Sequence, residues 1–173
     1  VKDACEAAKA RGIKISCDLN YRSKLWSRER AGEVMSDLAK YIDVCIANEE
    51  DAKDVFGIEA DNSDINSGIL DKEGYKSVAK KMAEKFGFEK VAITLRKSIS
   101  ASENDWSAML LSDGEYYFSK EYHLNIVDRV GGGDSFGGGL IYALLNGMSS
   151  QETIEFAVAA SALKQSIEGD FNR

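Results

Sequence analysis

The pattern of apolar and polar residues along the 173-residue chain changes period several times, which separates predicted strands from predicted helices. Short runs rich in apolar and β-branched residues predict strands at 13–19, 43–48 and 89–95. Apolar residues that recur every three or four positions predict a first helix that ends at Gly12 and further helices at about 30–41, 52–56 and 72–86. Strands and helices that alternate in this way form βαβ units, so we expect a mostly parallel sheet.

The second half of the chain adds a β-hairpin to this sheet. The runs 106–111 and 115–118 flank Ser112-Asp113-Gly114, and a turn of this kind between two such runs is typical of an antiparallel hairpin. A last helix is predicted at 150–167. Because no repeat and no shift in composition divides the chain, we expect a single α/β domain over residues 1–173.

Composition and charge exclude several classes of partner. The chain carries 29 acidic and 22 basic residues, a net charge of −7, and no block of Lys and Arg, so neither nucleic acid nor a membrane surface is expected as a partner. No apolar run approaches the roughly 20 residues that span a bilayer. Three cysteines without a C-x-x-C pair predict buried structural thiols in a reducing compartment, which indicates the cytoplasm. The charged stretch 57–74 is predicted to be a loop.

A glycine-rich stretch late in the chain is the most informative part of the sequence. Six of the 15 glycines fall between positions 131 and 139, and the uncharged apolar run 140–145 follows at once. Glycines that lead into a buried helix let the backbone approach a ligand closely, and the unpaired N–H groups and positive dipole of a helix N-terminus favour an anion. Asp134 lies at the mouth of this predicted anion site, where its carboxylate is either a helix cap or a catalytic base.

Two familiar phosphate-binding motifs do not fit this stretch. No G-x-x-x-x-G-K-[ST] sequence occurs, and the segment from Gly131 to Gly139 lacks the lysine that reaches a β- or γ-phosphate. The dinucleotide fingerprint follows the first strand of its fold, whereas this turn comes late in the chain. What remains is an anion hole beside a carboxylate. Phosphoryl transfer requires that combination: donors for the transferred group and an acceptor for the proton of the attacking hydroxyl.

Polar residues also follow two of the predicted strands, at the sheet edge where α/β proteins bind ligands. Arg22 follows the first strand and can either offer a planar charged fork to a carboxylate or phosphate, or pair with a neighbouring acid. Asn48-Glu49-Glu50-Asp51 ends the second strand. Acids in the first turn of a helix stabilise the helix dipole, so this segment is either structural or part of a magnesium and water site.

These motifs resemble those of a known enzyme family. Residues 127–136, Val-Asp-Arg-Val-Gly-Gly-Gly-Asp-Ser-Phe, resemble the C-terminal signature D-T-x-G-A-G-D-x-F of the ribokinase-like (PfkB-type) sugar kinases. Within the family, the segments 94–96 and 98–102 are more similar to 2-keto-3-deoxygluconate kinases than to ribokinases or fructokinases. Three further segments fall in the family's order: 18–22, 48–51 and 169–171. The resemblance covers the whole chain.

The resemblance implies roles for residues around the phosphate and the sugar. Asp134 would be the base that activates the sugar hydroxyl. The anion hole would be formed by the N–H groups of Gly131, Gly132 and Gly133. Asn20 and Arg22 would bind the substrate, with Arg22 at its keto-acid end or near a phosphate, and Asp170 would bind a sugar hydroxyl.

The resemblance also implies ATP and Mg²⁺ as cofactors. Asn48 and Asp51 match the N-x-x-E element that organises magnesium through its waters, although Asp51 is one methylene shorter than the usual Glu. Arg96 and Ser98 fall where the nucleotide loop of the family begins, and an insertion follows Arg96. Asn48, Arg96 and Ser98 are therefore the expected nucleotide-binding residues.

The expected fold is a three-layer ribokinase-like α/β fold that lacks the N-terminal half and lid, since family members are nearly twice this length. The expected reaction is ATP-dependent phosphorylation of 2-keto-3-deoxygluconate to its 6-phosphate, by a full-length form that is a homo-oligomer in the cytoplasm. Three alternatives remain. They are a kinase for fructose or ribose, a catalytically incomplete fragment that binds nucleotide or self-associates, and a generic anion-binding domain in which Asp134 is only a cap.

Overall fold

The computed structural model of the protein describes residues 1–60, 72–100 and 102–170. The helices are α1 (Lys2–Lys9), α2 (Arg28–Ala39), α3 (Glu49–Phe56), α4 (Lys72–Phe86), α5 (Gly132–Leu145) and α6 (Ser150–Gln165). The strands are β1 (Ser16–Asp18), β2 (Val44–Asn48), β3 (Lys90–Ser98), β4 (Glu103–Ser112), β5 (Glu115–Phe118) and β6 (Tyr122–Asn125). The predicted α/β class is confirmed. Most of the predicted loop 57–74 lies outside the described residues, as do Ala101 and 171–173.

The described strands pair in one mixed sheet. Its order is β1-β2-β3-β4-β5, and β6 pairs with β4. β1 and β2 run parallel, with Cys17 opposite Cys45, whereas β4 and β6 run antiparallel. The turn between β4 and β5 consists of Asp113 and Gly114, whose φ angles are 54° and 80°. Two positive φ angles are what a tight two-residue hairpin turn requires, so the predicted hairpin is confirmed.

Several element boundaries differ from the prediction; α1 ends at Lys9 instead of Gly12, and β4 begins at Glu103 instead of residue 106. β1 begins at Ser16 instead of residue 13, and Ile13 is 53% exposed, so an apolar residue there does not mark a buried strand. β3 continues to Ser98 instead of ending at residue 95. α6 ends at Gln165 instead of residue 167. β6 was not predicted, because Tyr-His-Leu-Asn is short and half-exposed and carries a weak apolar signal.

The chain divides into two compact units. The first contains residues 1–93 and 111–115, and the second contains 94–110 and the chain from residue 116 onwards. The glycine-rich stretch, Arg96, Ser98 and Asp170 belong to the second unit, and the polar residues that follow β1 and β2 belong to the first. That residues 1–173 form a single domain stays a prediction.

In the first unit, the buried carboxylate of Asp43 connects three segments of the chain through hydrogen bonds. Its Oδ1 accepts hydrogen bonds from Lys9 Nζ at 2.7 Å and Lys14 Nζ at 3.3 Å, and its Oδ2 accepts from the Ile15 N–H at 2.8 Å. Burial acts to raise the pKa of Asp43, but the hydrogen bonds from Lys9, Ile15 and Lys14 outweigh it and hold the pKa below its usual value. The ionised carboxylate thus ties the end of α1 and the segment before β1 to the start of β2.

In the second unit, α5 and α6 pack closely through small residues. A Cβ added to Gly139 would lie 3.1 Å from Ala157 Cα and 3.2 Å from Ala160 Cβ. The α6 N-terminus is fixed by a capping box between Ser149 and Glu152. The fully buried core between the helices includes Phe136, Leu140, Ala143, Ile154 and Val158. This packing gives the glycine-rich start of α5 a rigid support.

Two further observations concern membranes and thiols. Within the described ranges, none of the helices is both long enough and apolar enough to cross a membrane. Cys5, Cys17 and Cys45 are free thiols, but only Cys45 is buried and the other two are half-buried. Burial raises the pKa of Cys17 to about 11, so its thiol is protonated at neutral pH.

Candidate functional site

The glycine turn, residues 131–133, begins α5 with an unusual cap. Gly131 is the N-cap and has a left-handed conformation with φ 78°. A Cβ at this position would lie 2.9 Å from the backbone oxygen of Asp170, so close approach and positive φ both require glycine. The Ser135 N–H donates to the Gly131 carbonyl at 2.8 Å, which closes the first helical turn. Glycine is therefore required at position 131, because a residue with a side chain would be strained in this backbone conformation.

The backbone donors of this turn are only partly used. The Gly132 N–H donates to the Arg129 carbonyl at 3.3 Å. The N–H groups of Gly131, Gly133 and Asp134 have no backbone or side-chain acceptor among residues 1–60, 72–100 and 102–170. A Cβ at Gly133 would meet no atom within 4 Å, so the space beside it is open. Unused donors at a positive helix end, next to open space, suit an anion.

Asp134 is the third residue of α5 and its side chain is exposed. None of the described residues donates a hydrogen bond to its carboxylate or pairs with it. The hypothesis that Asp134 is merely a helix cap would require a hydrogen bond from a backbone N–H to this carboxylate, and the described backbone provides none. The exposed carboxylate is therefore available to a ligand.

Asp128 anchors the segment before the glycine turn. Its Oδ1 accepts from the Val130 N–H at 2.9 Å and its Oδ2 from the Gly169 N–H at 3.1 Å. These two backbone hydrogen bonds lower the pKa of Asp128, so the carboxylate is ionised at neutral pH. The Val127 N–H also donates to the Gln165 carbonyl at 2.9 Å. Together these contacts hold the turn against the segment that follows α6, which brings the predicted sugar-binding residue Asp170 beside Gly131.

Asn20 and Arg22 follow β1 in the first unit. Asn20 has a φ of 40°, uncommon for a residue with a side chain, and its N–H donates to Asp18 Oδ1 at 3.1 Å. Arg22 is exposed, and none of the acids in the described ranges lies within 4.0 Å of its guanidinium. The simple ion pair that was one alternative for Arg22 is thus not formed. Substrate binding by both residues stays a prediction.

Asn48 and Asp51 form a reciprocal capping box at the start of α3. The Asp51 N–H donates to Asn48 Oδ1 at 2.7 Å, and the Asn48 N–H donates to Asp51 Oδ2 at 3.4 Å. The other oxygen of Asp51 accepts from the Tyr21 N–H at 3.1 Å. Burial raises the pKa of Asp51, although these backbone hydrogen bonds and the charge of Arg22 act to lower it. The segment therefore has the structural role that was one of its two interpretations.

The side-chain oxygens of Asn48 and Asp51 do not fit direct coordination of a metal ion. Both carboxylate oxygens of Asp51 already accept backbone hydrogen bonds. No group of three or more His, Cys, Asp or Glu residues suited to a metal occurs in the described part of the chain. A role through water, as the resemblance implied, stays a prediction, and Mg²⁺ has no protein-only cage among these residues.

Arg96 and Ser98 lie on the second half of β3 and not in a loop. Both are exposed, and their spacing of two residues places them on one face of the strand. Lys97 lies between them, and its Nζ forms an ion pair with Asp105 Oδ2 at 3.8 Å. The Ile99 N–H donates to the Glu103 carbonyl at 3.0 Å, so β3 turns directly into β4. Nucleotide binding by Arg96 and Ser98 stays a prediction.

Lys164 was missed by the sequence analysis. It is fully buried on α6, and its Cε lies 3.2 Å from the position that a Cβ on Gly131 would take. A signal for it exists in the sequence, because Lys164 follows buried Ala157 by seven residues and buried Ser161 by three. A charged residue on the apolar face of a helix that packs behind the glycine turn is a candidate for function.

Known proteins resemble this chain over nearly its whole length. The family described as pfkB family carbohydrate kinase matches residues 1–170. A 2-dehydro-3-deoxygalactonokinase of Haloferax volcanii is 28% identical over 165 residues, which are 95% of this chain and 45% of that protein. The crystal structure of 2-dehydro-3-deoxygluconokinase from Thermotoga maritima matches with a TM-score of 0.92 and 48% identity over 99% of this chain and 50% of that chain.

A more distant structure bears on the fold. A putative ribokinase II from E. coli, in complex with ATP and Mg²⁺, matches with a TM-score of 0.74 and 21% identity over 98% of this chain and 47% of that chain. At this identity the likeness shows the fold alone. The predicted ribokinase-like fold is confirmed, and the chain spans about half the length of the relatives that it matches.

Proposed function

We propose, from the premise that the chain belongs to the pfkB family of carbohydrate kinases, that it provides the phosphoryl-transfer site of an ATP-dependent sugar acid kinase. The observation that carries this proposal is the glycine turn. An unpartnered carboxylate, Asp134, lies one residue from an open space beside Gly133, at a helix end with unused N–H donors. A base next to an anion hole is the minimum that transfer of a phosphoryl group to an alcohol requires.

In the proposed reaction, Asp134 accepts the proton of the attacking sugar hydroxyl. The oxygen of that hydroxyl forms a bond to the γ-phosphorus of ATP, and the bond from the γ-phosphorus to the bridging oxygen of ADP breaks. The N–H groups of Gly131 and Gly133 donate to the oxygens of the transferred group and offset its charge. Because Gly132 already donates to Arg129, its N–H contributes less than the sequence suggested. The products are a sugar phosphate, ADP and a proton.

We propose 2-keto-3-deoxygluconate as the sugar acid and its 6-phosphate as the product. The similarity to the T. maritima 2-dehydro-3-deoxygluconokinase, at 48% identity, supports this choice of substrate. The exposed guanidinium of Arg22, with no ion pair among the described acids, provides a permanent charge for the carboxylate of such a substrate. Asn20 and Asp170 would supply hydrogen bonds to its hydroxyl groups.

ATP is the proposed phosphoryl donor, with Mg²⁺ carried by the nucleotide. The family membership supports ATP, and Arg96 and Ser98 would contact the nucleotide from one face of β3. Magnesium bound to ATP offsets phosphate charge. Asn48 and Asp51 would act on it only through water, because Asn48 Oδ1 and both carboxylate oxygens of Asp51 already accept backbone hydrogen bonds.

An assay of ADP release by the complete gene product tests the substrate. With saturating ATP·Mg²⁺, 2-keto-3-deoxygluconate, ribose and fructose are compared at equal concentrations in a coupled assay. We expect kcat/KM for the sugar acid to exceed that for either neutral sugar by about 10²-fold or more, because a neutral sugar leaves the groups that bind the carboxylate without a partner. Turnover of ribose or fructose at an equal or higher kcat/KM would contradict the choice of substrate.

A second candidate function is binding of nucleotide, or self-association, without catalysis. The observation in its favour is that the chain spans about half the length of its relatives. Calorimetric titration of the 173-residue chain with ATP·Mg²⁺ and separately with the sugar acid distinguishes the two. Nucleotide binding without turnover supports the second candidate, and turnover by this chain excludes it. The mass of the chain in solution shows whether it self-associates.

A further inference from the structure

Lys164 is completely buried directly behind the glycine turn. Its exposed fraction is 0%, and Cε is 3.2 Å from the position that a Cβ on Gly131 would take. Lysine is almost never fully buried in proteins unless its charge is compensated, because removing an ammonium group from water is costly. A fully buried lysine at this place is therefore an unusual feature of the packing behind the glycine turn.

The ammonium group is hydrogen-bonded but is not neutralised by an ion pair. Lys164 Nζ donates to the Ile167 carbonyl at 3.2 Å, the one acceptor it has among the described residues. Asp128 is near enough for the charge of Lys164 to act on it, yet both Asp128 oxygens accept backbone N–H groups and no Asp128–Lys164 ion pair is formed. Two ammonium hydrogens thus have no acceptor, and the charge has no ion-pair partner, among the described residues.

The same lysine connects the two segments that shape the turn. Its hydrogen bond to Ile167 fixes the chain just after α6, and that chain places the Asp170 carbonyl 2.9 Å from the position of a Cβ on Gly131. The side chain itself packs against Gly131. Lys164 thus contacts both segments, in addition to the anchoring contacts of Asp128.

We propose that Lys164 is a positioning residue of the anion site. Its buried ammonium adds a fixed positive potential behind the N-terminus of α5 and holds the segment 167–170 against the glycine turn. A charge in a dry environment acts over a longer range than one in water, so it strengthens the binding of an anion at the amides of Gly131 and Gly133. This inference rests on the proposed kinase function. Lys164 acts through the turn and does not contact the sugar.

Chemical rescue in the complete gene product separates the charge of Lys164 from its packing. Lys164→Ala removes both, and n-propylammonium can restore a cation to the vacated space, whereas n-propanol restores only volume. We expect kcat to fall about 10- to 100-fold in Lys164→Ala with a small change in KM for the sugar acid. We expect n-propylammonium to raise the kcat of Lys164→Ala at least fivefold and n-propanol to leave it unchanged.

Val158→Ala is the matched control. Val158 is also fully buried on α6, but it is apolar. We expect this variant to lower the melting temperature without the loss of kcat and without rescue by the amine. If Lys164→Ala loses no more activity than Val158→Ala, or if n-propanol rescues as well as n-propylammonium, Lys164 is only a packing residue and the proposal is overturned.

Binding of inorganic phosphate distinguishes failure of this inference from failure of the proposed function. Lys164→Met keeps most of the buried volume and removes the charge, so it also serves if Lys164→Ala does not fold. We expect the phosphate dissociation constant, followed by NMR of the glycine-turn amides, to rise about tenfold in Lys164→Met. If the wild-type protein phosphorylates no sugar acid but Lys164→Met still binds phosphate about tenfold more weakly than the wild type, the kinase proposal fails and the role of Lys164 stands. Equal phosphate affinity in both proteins overturns the role of Lys164.

Discussion

Two aspartates occupy the same position in two helices, yet their surroundings are opposite. Asp51 and Asp134 are each the third residue of a helix, α3 and α5 respectively. Asp51 is 7% exposed, and both of its carboxylate oxygens accept backbone N–H groups. Asp134 is exposed, and none of the residues that the structure describes donates to it. One carboxylate is held by backbone hydrogen bonds, and the other has no hydrogen-bond partner among the described residues.

The residue that caps each helix explains the difference. Asn48 caps α3 in an extended conformation, and its backbone N–H donates a hydrogen bond to Asp51 Oδ2. Gly131 caps α5 in a left-handed conformation and brings no side chain. Without a reciprocal capping box, the acid at the third position of α5 is not recruited by the backbone. In these two helices the N-cap, and not the position of the acid, therefore decides whether the backbone holds the carboxylate.

The comparison predicts its largest effect for Asp134→Asn. Since a general base contributes about 10²- to 10⁴-fold, we expect kcat for the sugar acid to fall by that factor. The unfolding free energy should stay within about 0.5 kcal/mol of the wild-type value, because the carboxylate has no partner among the described residues. ADP release and urea denaturation measure the two quantities.

Asp51→Ala is the matched control for this prediction. It leaves the N–H groups of Tyr21 and Asn48 without their acceptor, so we expect a loss of about 1–3 kcal/mol in unfolding free energy. At a temperature where the variant is folded, its kcat should fall less than that of Asp134→Asn. If Asp134→Asn destabilises the protein as much as Asp51→Ala and retains most of the turnover, the contrast between the two aspartates is wrong.

The second prediction compares alanine at two positions of the glycine turn. Gly131→Ala places a methyl 2.9 Å from the Asp170 carbonyl in a residue with positive φ, so we expect a loss of about 1–3 kcal/mol in stability and of about 10²-fold in kcat. Gly133→Ala meets no protein atom within 4 Å. We expect it to keep or gain stability and still to lower kcat, because its methyl enters the space proposed for the phosphate.

The outcome for Gly133→Ala is the more informative of the two. A purely structural turn would tolerate this methyl, and the replacement of a helical glycine would stabilise the helix by about 0.5–1 kcal/mol. Unchanged kcat together with higher stability would show that no ligand occupies the space beside Gly133. Thermal melts and ADP release on the same preparations provide both readouts.

The third prediction concerns two adjacent glycines farther along α5. Gly139→Ala forces a methyl to within 3.1 Å of Ala157 on α6, so we expect a loss of about 1–3 kcal/mol in unfolding free energy. Gly138→Ala meets nothing within 4 Å and should gain about 0.5–1 kcal/mol. Urea denaturation measures both. Equal effects would mean that α5 and α6 do not pack through Gly139.

The sequence predicted elements well where one pattern dominated. The helical period of 72–86 and the Asp113-Gly114 turn lead directly to α4 and to the β4–β5 hairpin, because local chemistry determines both. The glycine stretch was likewise recognised as a helix N-terminus. β6 was not predicted, since its four residues form a strand only through pairing with distant β4.

Contacts between segments far apart in the chain explain what the sequence analysis missed at the site. The role of Asp51 was open between structure and metal binding because the deciding hydrogen bond comes from Tyr21, 30 residues away. Lys164 was not predicted because its side chain packs against the glycine turn, which belongs to another helix. Spacing along one element shows which face a residue occupies, but the residue it meets there is determined by tertiary packing.

The smallest predicted effect is a pH dependence of opposite sign at two buried carboxylates. Burial raises the pKa of Asp51, so between the ordinary value of about 3.9 and its folded value the native state binds more protons than the unfolded state. The stability of the wild type relative to Asp51→Asn should therefore increase as the pH falls from 7 towards 4.

Asp43 has a lowered pKa, so its contribution to stability is present above about 3.9 and is lost as the pH falls through its folded pKa. The stability of the wild type relative to Asp43→Asn should thus decrease in acid. Melting temperatures of the three proteins from pH 7 to pH 3 test this, and two differences that change in the same direction would contradict the assignment of Asp51 as a desolvated carboxylate.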